Sequence, residues 1–175
     1  GTGFSTVYGQ TENCPVITLH HINDNIDDIC NTAGQPVSQT EVSIRSLDKN
    51  QTVDIGIVGE ISTRGPSVML CYNDNPKATS ETVDAEGWLH TGDLGQMDAR
   101  GYVTITGRVK EMIIRGGENH FPKEIENCLL EHPDVAEVAV VGLPDEKWGE
   151  TPKAFVTLKD GKDATEKEII EFCKS

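Results

Sequence analysis

The sequence predicts an α+β chain in two parts. Residues 1–109 read as β-rich and barrel-like, and residues 110–175 as a small α+β domain with a short sheet and flanking helices. Three observations carry this expectation. Short period-two segments at Glu41–Arg45 and Gly59–Arg64, separated by Gly, Asn, Asp and Pro, fill the first part and read as antiparallel strands. After Gly107 strands alternate with helices, with no clear parallel repeat. Helix starts at Pro122 and at the capping box Thr165-Glu166-Lys167-Glu168 fall in the second part.

In chain order, Val7-Tyr8-Gly9-Gln10-Thr11-Glu12 begins where a strand ends. Residues 23–31 are polar and acidic and read as a loop. The stretches Gly65-Pro66 and Asn73-Asp74-Asn75-Pro76 are turns, and Pro76 at a first helical position opens one short helix before Val83. Residues 102–106 form a strand that ends in Arg108. Ile125, Cys128 and Leu129 give one apolar helix face after Pro122, and Pro133 stops that helix. Residues 135–141 form a strand broken at Glu137, and 153–158 form another. Ile169, Ile170 and Cys173 share a face of the last helix.

Composition excludes several function classes. The 175 residues carry a net charge of −14, with 5 basic and 14 acidic side chains in 1–106 and 10 and 15 in 107–175. So acidic a surface argues against nucleic acid, because phosphate binding needs a basic face. An anionic ligand must therefore be held by local donors against the overall field. No apolar stretch approaches the roughly 18 residues of a membrane span, no secretory leader opens the chain, and Gly1-Thr2-Gly3 is assigned no role. Five scattered cysteines without a C-x-x-C pair imply a reduced compartment, the cytoplasm or alternatively the mitochondrial matrix. His20-His21 with Cys14 and Cys30 fits no usual zinc spacing. The adjacent pairs Asp27-Asp28 and Asp145-Glu146 read as solvated charges that point apart.

The chemistry concentrates between Gly87 and Pro122, in GWLHTGDLG and GYVTITGRVKEMIIRGGENHFP. Asp93 and Arg108 read as buried there. Asp93, in the turn Thr91-Gly92-Asp93, can accept two hydroxyl hydrogen bonds of the kind a ribose offers. Arg108 supplies fixed donors for a phosphate or sugar oxygen. Lys110, an apolar run and Gly116-Gly117 follow as a swivel and a loop that lets backbone approach a ligand. Upstream, Tyr8 offers a ring for a base, Thr11 a hydroxyl for phosphate and Glu12 a carboxylate for Mg²⁺, with Gly9 between them. From residue types alone the commoner readings are structural: Asp93 closing a turn, Arg108 a surface residue, Gly116-Gly117 a tight turn, and Tyr8 to Glu12 an exposed turn.

YGQTE, GWLHTGDLG and GRVKEMIIRGGENHFPKEIE, in that order, resemble the signature region of the adenylate-forming, AMP-binding superfamily. The wording GGEN followed by Phe121-Pro122 is most similar to acyl-CoA synthetases acting on medium-chain acids. The resemblance covers nearly the whole chain but only the later part of the family's length. It implies adenine stacking at Tyr8, phosphate contact at Thr11 and metal contact at Glu12. It also implies ribose hydroxyls on Asp93 and Arg108, a domain hinge at Lys110, and a path for the CoA thiol along Gly116-Gly117. The substrates it implies are ATP with Mg²⁺, coenzyme A and a carboxylic acid.

Neither the family's phosphate loop ending in lysine nor its Pro-x-x-Gly-Lys segment occurs here. The expectation is therefore a piece: the last part of a large AMP-binding domain (1–109) and an incomplete small C-terminal domain (110–175), inactive alone. Two alternatives stand beside the synthetase: an adenylation domain that loads a carrier protein, and a non-catalytic module of the same fold. Ile114-Arg115-Gly116-Gly117 disfavours the first, whose members usually carry lysine-arginine-glycine there.

Overall fold

A computed structural model describes residues 4–174, so Gly1-Thr2-Gly3 lies outside the described residues. The chain divides into two compact units, residues 1–106 and 107–175. In the first unit, β1 (Val7–Tyr8), β2 (Thr18–Leu19) and β3 (Gln35–Pro36) form a three-stranded antiparallel sheet in that order. A second sheet has the order β4 (Glu41–Arg45), β5 (Gly59–Arg64), β6 (Leu89–Met97) and β7 (Val103–Arg108). Ile44, Ile61 and Val103 form its buried core, with Tyr8, Val42, Val53 and Met97 packed against them. The central strand β5 also buries Ser62 and Thr63, so it lacks the clean alternation of a strand with one wet face.

The stretch 23–31 is not all loop. Ile26–Asn31 forms helix α1, because Asn25 caps it by accepting from Asp28 N at 2.9 Å, while Asp27 and Asp28 sit at its positive end. Nor is Asp28 a solvated charge. It is buried, accepts from Arg100 Nη1 at 3.0 Å and Nη2 at 2.8 Å, and accepts from Asn25 Nδ2 at 2.6 Å. Arg100 belongs to the loop between β6 and β7, whose Tyr102 hydroxyl donates to Asp24 at 2.8 Å. The second short helix, α2 (Pro76–Thr82), starts at Pro76 with Asn75 as its cap.

This pair makes a pH prediction with a definite sign. The Arg100 guanidinium holds the Asp28 carboxyl below its ordinary range. A group whose folded pKa is depressed stabilises above its unfolded pKa and loses that stability as pH falls through the folded value. Arg100→Gln is therefore expected to lower stability at neutral pH and to flatten its decline below about pH 4. Urea midpoints measured across that range check it, and a decline as steep as in the parent chain would contradict it.

In the second unit the sheet order is β10 (Val135–Asp145), β11 (Gly149–Leu158), β8 (Ile113–Arg115), β9 (Glu118–His120). Helices α3 (Pro122–Leu130) and α4 (Glu166–Phe172) flank it, the latter with both halves of the Thr165/Glu168 capping box formed. Ile113, Leu129, Val135 and Val140 are buried, and Glu126 of α3 accepts from Val140 N at 3.0 Å. The break expected at Glu137 is a register shift between Val135 and Glu137 within one continuous strand. Both long strands exceed their predicted bounds because a tight turn joins them. Asp145 Oδ1 accepts from Lys147 N at 2.9 Å and Trp148 N at 2.8 Å, so Asp145 is a turn cap and not an idle charge. Among the described residues, no helix is long and apolar enough to cross a membrane.

Candidate active site

Tyr8 ends β1, and Thr11–Asn13 follow as one 3₁₀ turn. The chain then folds back so closely that Ile17 N donates to Tyr8 O at 2.8 Å. A Cβ on Gly9 would lie 1.7 Å from Pro15 O and 2.9 Å from Val16 Cα, so this position admits only glycine. Gly9→Ala is accordingly expected to cost about 3 kcal/mol, the upper end for overpacking, and to shift the urea midpoint clearly. An unchanged midpoint would show that the return strand can give way. Thr11 is exposed, and Glu12 is half-buried with its Oε1 accepting from the Tyr72 hydroxyl at 2.7 Å. The Glu12 carboxylate raises the Tyr72 hydroxyl above its ordinary range, with burial adding to the effect. The sequence carries no signal for Tyr72, which meets Glu12 across 60 positions.

Asp93 lies within β6 and not in a free turn. Gly92 adopts φ +74°, a left-handed conformation that favours glycine, and the pairing of β5 with β6 slips between Glu60 and Ser62. The resulting bulge is fixed from several sides. Thr91 Oγ1 donates to Ile61 O at 2.7 Å and accepts from Asp93 N at 3.1 Å, while Glu60 Oε1 accepts from Gly92 N at 3.0 Å. The Tyr8 hydroxyl donates to Asp93 Oδ2 at 2.9 Å, joining two motifs 85 residues apart. The structure thus brings Tyr8 and Asp93 together: an aromatic ring beside a half-buried carboxylate. Such a pair can stack a flat heterocycle and accept hydrogen bonds from vicinal hydroxyls.

In the second unit Arg108 ends β7 and is exposed, not buried, because the last residue of an edge strand has no cover. It lines a recess of about 330 Å³ with Glu111, Phe121, Lys123 and Glu126. Lys110 is exposed in the 3₁₀ turn Val109–Glu111. Gly116 and Gly117, at φ +62° and +89°, make the hairpin turn between β8 and β9. Gly116 N donates to Trp148 O at 2.8 Å. The Arg115 guanidinium and the Lys147 ammonium lie 4.8 and 4.7 Å from the Trp148 ring, a cationic and aromatic rim that the sequence reading missed.

Two metal questions have different answers. His20 is buried, its Nδ1 lies 2.7 Å from Thr6 Oγ1, and its Nε2 lies 2.9 Å from Thr32 Oγ1 and 3.0 Å from Asp28 O. Both ring nitrogens are thus engaged within the protein. Among the described residues no group of three or more His, Cys, Asp or Glu side chains is arranged to hold a metal. Mg²⁺, however, is commonly held by one or two carboxylates with substrate phosphates completing the shell. Glu12, a half-buried carboxylate whose Oε1 accepts from Tyr72, has the donor chemistry such a shell would use.

Known proteins match over this same architecture. The family model for the AMP-binding enzymes matches residues 1–73, and that for the AMP-binding enzyme C-terminal domain matches 124–175. A Rhodococcus jostii CoA ligase acting on a methyl-dioxo-octahydroindenyl propanoyl group is 46% identical over 169 residues, covering 97% of this chain. The human mitochondrial medium-chain acyl-CoA ligase is 41% identical over 167 residues, covering 95% of it. The chain spans only 30% and 27% of their lengths. Among solved structures, ATP-bound MatB of Rhodopseudomonas palustris superposes with a TM-score of 0.92 at 30% identity, over 99% of this chain and 34% of that one. The Bacillus subtilis o-succinylbenzoate CoA synthetase with its acyl-adenylate gives 0.82 at 36% identity, over 97% and 34%. The motifs, the two family models and the fold agree: the chain belongs to the adenylate-forming, AMP-binding enzymes, and the relatives it resembles include acyl-CoA ligases.

Proposed function

We propose that the chain is part of an ATP-dependent acid–thiol ligase that activates a carboxylic acid, of the fatty acid class, and transfers it to coenzyme A. The observation that carries this is the Tyr8–Asp93 hydrogen bond, which unites the base-stacking and ribose-accepting motifs in one place. In the first half-reaction a carboxylate oxygen of the acid attacks the α-phosphorus of ATP, the bond to the β-phosphate oxygen breaks, and pyrophosphate leaves. In the second, the CoA thiol loses its proton and its sulfur attacks the acyl carbon, and AMP leaves.

Each residue has a role in this reading. Tyr8 stacks on adenine while its hydroxyl orients Asp93, whose carboxylate accepts from the ribose hydroxyls. Thr11 donates to a phosphate oxygen. Glu12 holds Mg²⁺, which supplies charge neutralisation on the phosphates when bound. Arg108, at the end of the large AMP-binding domain's last part, donates to the ribose or a phosphate; the small C-terminal domain we place from residue 110 onward. Lys110 is the hinge on which that domain turns between half-reactions, and Gly116-Gly117 lines the way of the thiol. A cytoplasmic or mitochondrial-matrix location suits such an enzyme.

The test is thioester synthesis by the longer enzyme across a panel of acids of graded chain length, with CoA and a phosphopantetheinyl carrier protein as competing acceptors. Acyl-CoA with stoichiometric AMP supports the reading. Product only on the carrier would move the assignment to a loading domain, and no product on either would leave a non-catalytic module.

A further inference from the structure

Glu60 stands on β5, one strand from Asp93, with 16% of its side chain exposed. Its two oxygens take different donors. Oε1 accepts from Gly92 N at 3.0 Å, and Oε2 lies 2.8 Å from His90 Nδ1. Those contacts straddle Thr91, so one carboxylate grips the bulge on both sides, immediately before the carboxylate that faces the ribose in the reading above. We infer that Glu60 is a positioning residue for Asp93, locking the left-handed Gly92 so that the Asp93 carboxylate is presented at a fixed angle to the nucleotide ribose. This rests on Asp93 being the ribose acceptor.

The chemistry of the pair makes the inference specific. An ionised carboxylate only accepts, so His90 Nδ1 must carry the hydrogen. On its other side, His90 Nε2 faces Asp84 Oδ2 at 3.6 Å, from the loop before β6. Arg45 of β4 approaches Asp84 at 3.6 Å and Glu86 at 3.8 Å, so a cation lies beside the carboxylate that faces Nε2. Glutamine at position 60 has the same shape but one acceptor and one donor. Its oxygen can still take Gly92 N–H, while its NH₂ needs a lone pair on His90 Nδ1. Neutral imidazole supplies that lone pair by moving its hydrogen to Nε2, toward Asp84. Imidazolium has none, so its Nδ1–H meets the amide NH₂ head-on.

E60Q should therefore be tolerated at high pH and fail at low pH, whereas E60A should fail at both. A role for Glu60 that does not run through the His90 contact gives no such split, and AMP affinity reports whether the bulge it holds serves Asp93. The experiment has two arms. In the longer enzyme, AMP affinity is measured by calorimetry for the parent, E60Q and E60A at about pH 8 and about pH 5.5, where a free imidazole is mostly neutral and mostly charged respectively. In the 175-residue chain, hydrogen exchange of the Gly92 amide is compared among the same three. Losing a charge-assisted hydrogen bond predicts roughly 10- to 100-fold weaker AMP binding for E60A at both pH values. For E60Q the expectation is a loss within about threefold at high pH, approaching that of E60A at low pH, with Gly92 exchange following the same pattern.

Parental affinity and parental Gly92 exchange in E60A would overturn the inference. So would equal losses for E60Q at both pH values, a readout that survives if E60A fails to fold. Should the parent enzyme bind no AMP, the nucleotide reading itself falls. Gly92 exchange then still decides whether Glu60 governs the bulge.

Discussion

Asp93→Ala in the longer enzyme is expected to weaken AMP and ATP binding by roughly 10² to 10⁴, because two charge-assisted hydrogen bonds of about 1.5–3 kcal/mol each are lost together. The fold should survive. The bulge is held through Thr91 and Glu60, which bond to backbone groups of Ile61, Gly92 and Asp93 and not to the Asp93 carboxylate. What the truncation removes is the acceptor 2.9 Å from the Tyr8 hydroxyl, one of the contacts that orient the ring. Calorimetry with AMP separates these effects from misfolding, because the urea midpoint is measured on the same sample. A mutant that binds AMP like the parent would show that the ribose lies elsewhere.

Lys110→Pro should divide the two half-reactions, impairing thioester formation at least about tenfold more than adenylation. Lys110 lies in the 3₁₀ turn Val109–Glu111, with Met112 N closing back on Val109 O at 3.3 Å. Proline fixes φ near −65° at position 110 and disfavours helical backbone at Val109 before it. A hinge concentrates its change of dihedral angles in a few such residues, so only the state that tolerates this backbone remains accessible. The lysine is exposed and its charge is secondary in this account, so Lys110→Ala should be much milder. Pyrophosphate exchange and acyl-CoA formation, measured separately in both mutants, provide the check. Equal losses would mean misfolding, and full activity in Lys110→Pro would move the swivel to another residue.

Much of this was legible in the chain because local chemistry decided it. Pro76 and Pro122 open helices since their missing N–H groups cost nothing there, and Thr165 with Glu168 closes a capping box by spacing alone. The motif residues Tyr8, Glu12 and Asp93 were visible for a different reason, their wording and order. What escaped depends on partners far along the chain. Helix α1 looked like an acidic loop because its cap, Asn25, is ordinary in loops, and Asp28 finds its cation 72 positions away at Arg100. The Thr91-Gly92-Asp93 segment looked like a turn because a glycine beside an aspartate usually is one. Only the slipped pairing with β5 shows it to be a bulge inside a strand. Glu60 gave no signal, since an acid in a period-two strand normally faces water. Arg108 reads as buried from its motif, whereas its exposure follows from its place at a strand end.

The central claim is that these residues serve acyl-adenylate formation, and acid-dependent ATP–pyrophosphate exchange tests it most directly. The longer enzyme should exchange labelled pyrophosphate into ATP only when a carboxylic acid is present, with the Asp93→Ala enzyme reduced by roughly the 10² to 10⁴ given by two lost hydrogen bonds. The 175-residue chain alone, which contains neither of the family's lysine-bearing segments that meet the phosphates, should show no exchange. Exchange by the 175 residues alone, or acid-independent or absent exchange by the longer enzyme, would contradict the account.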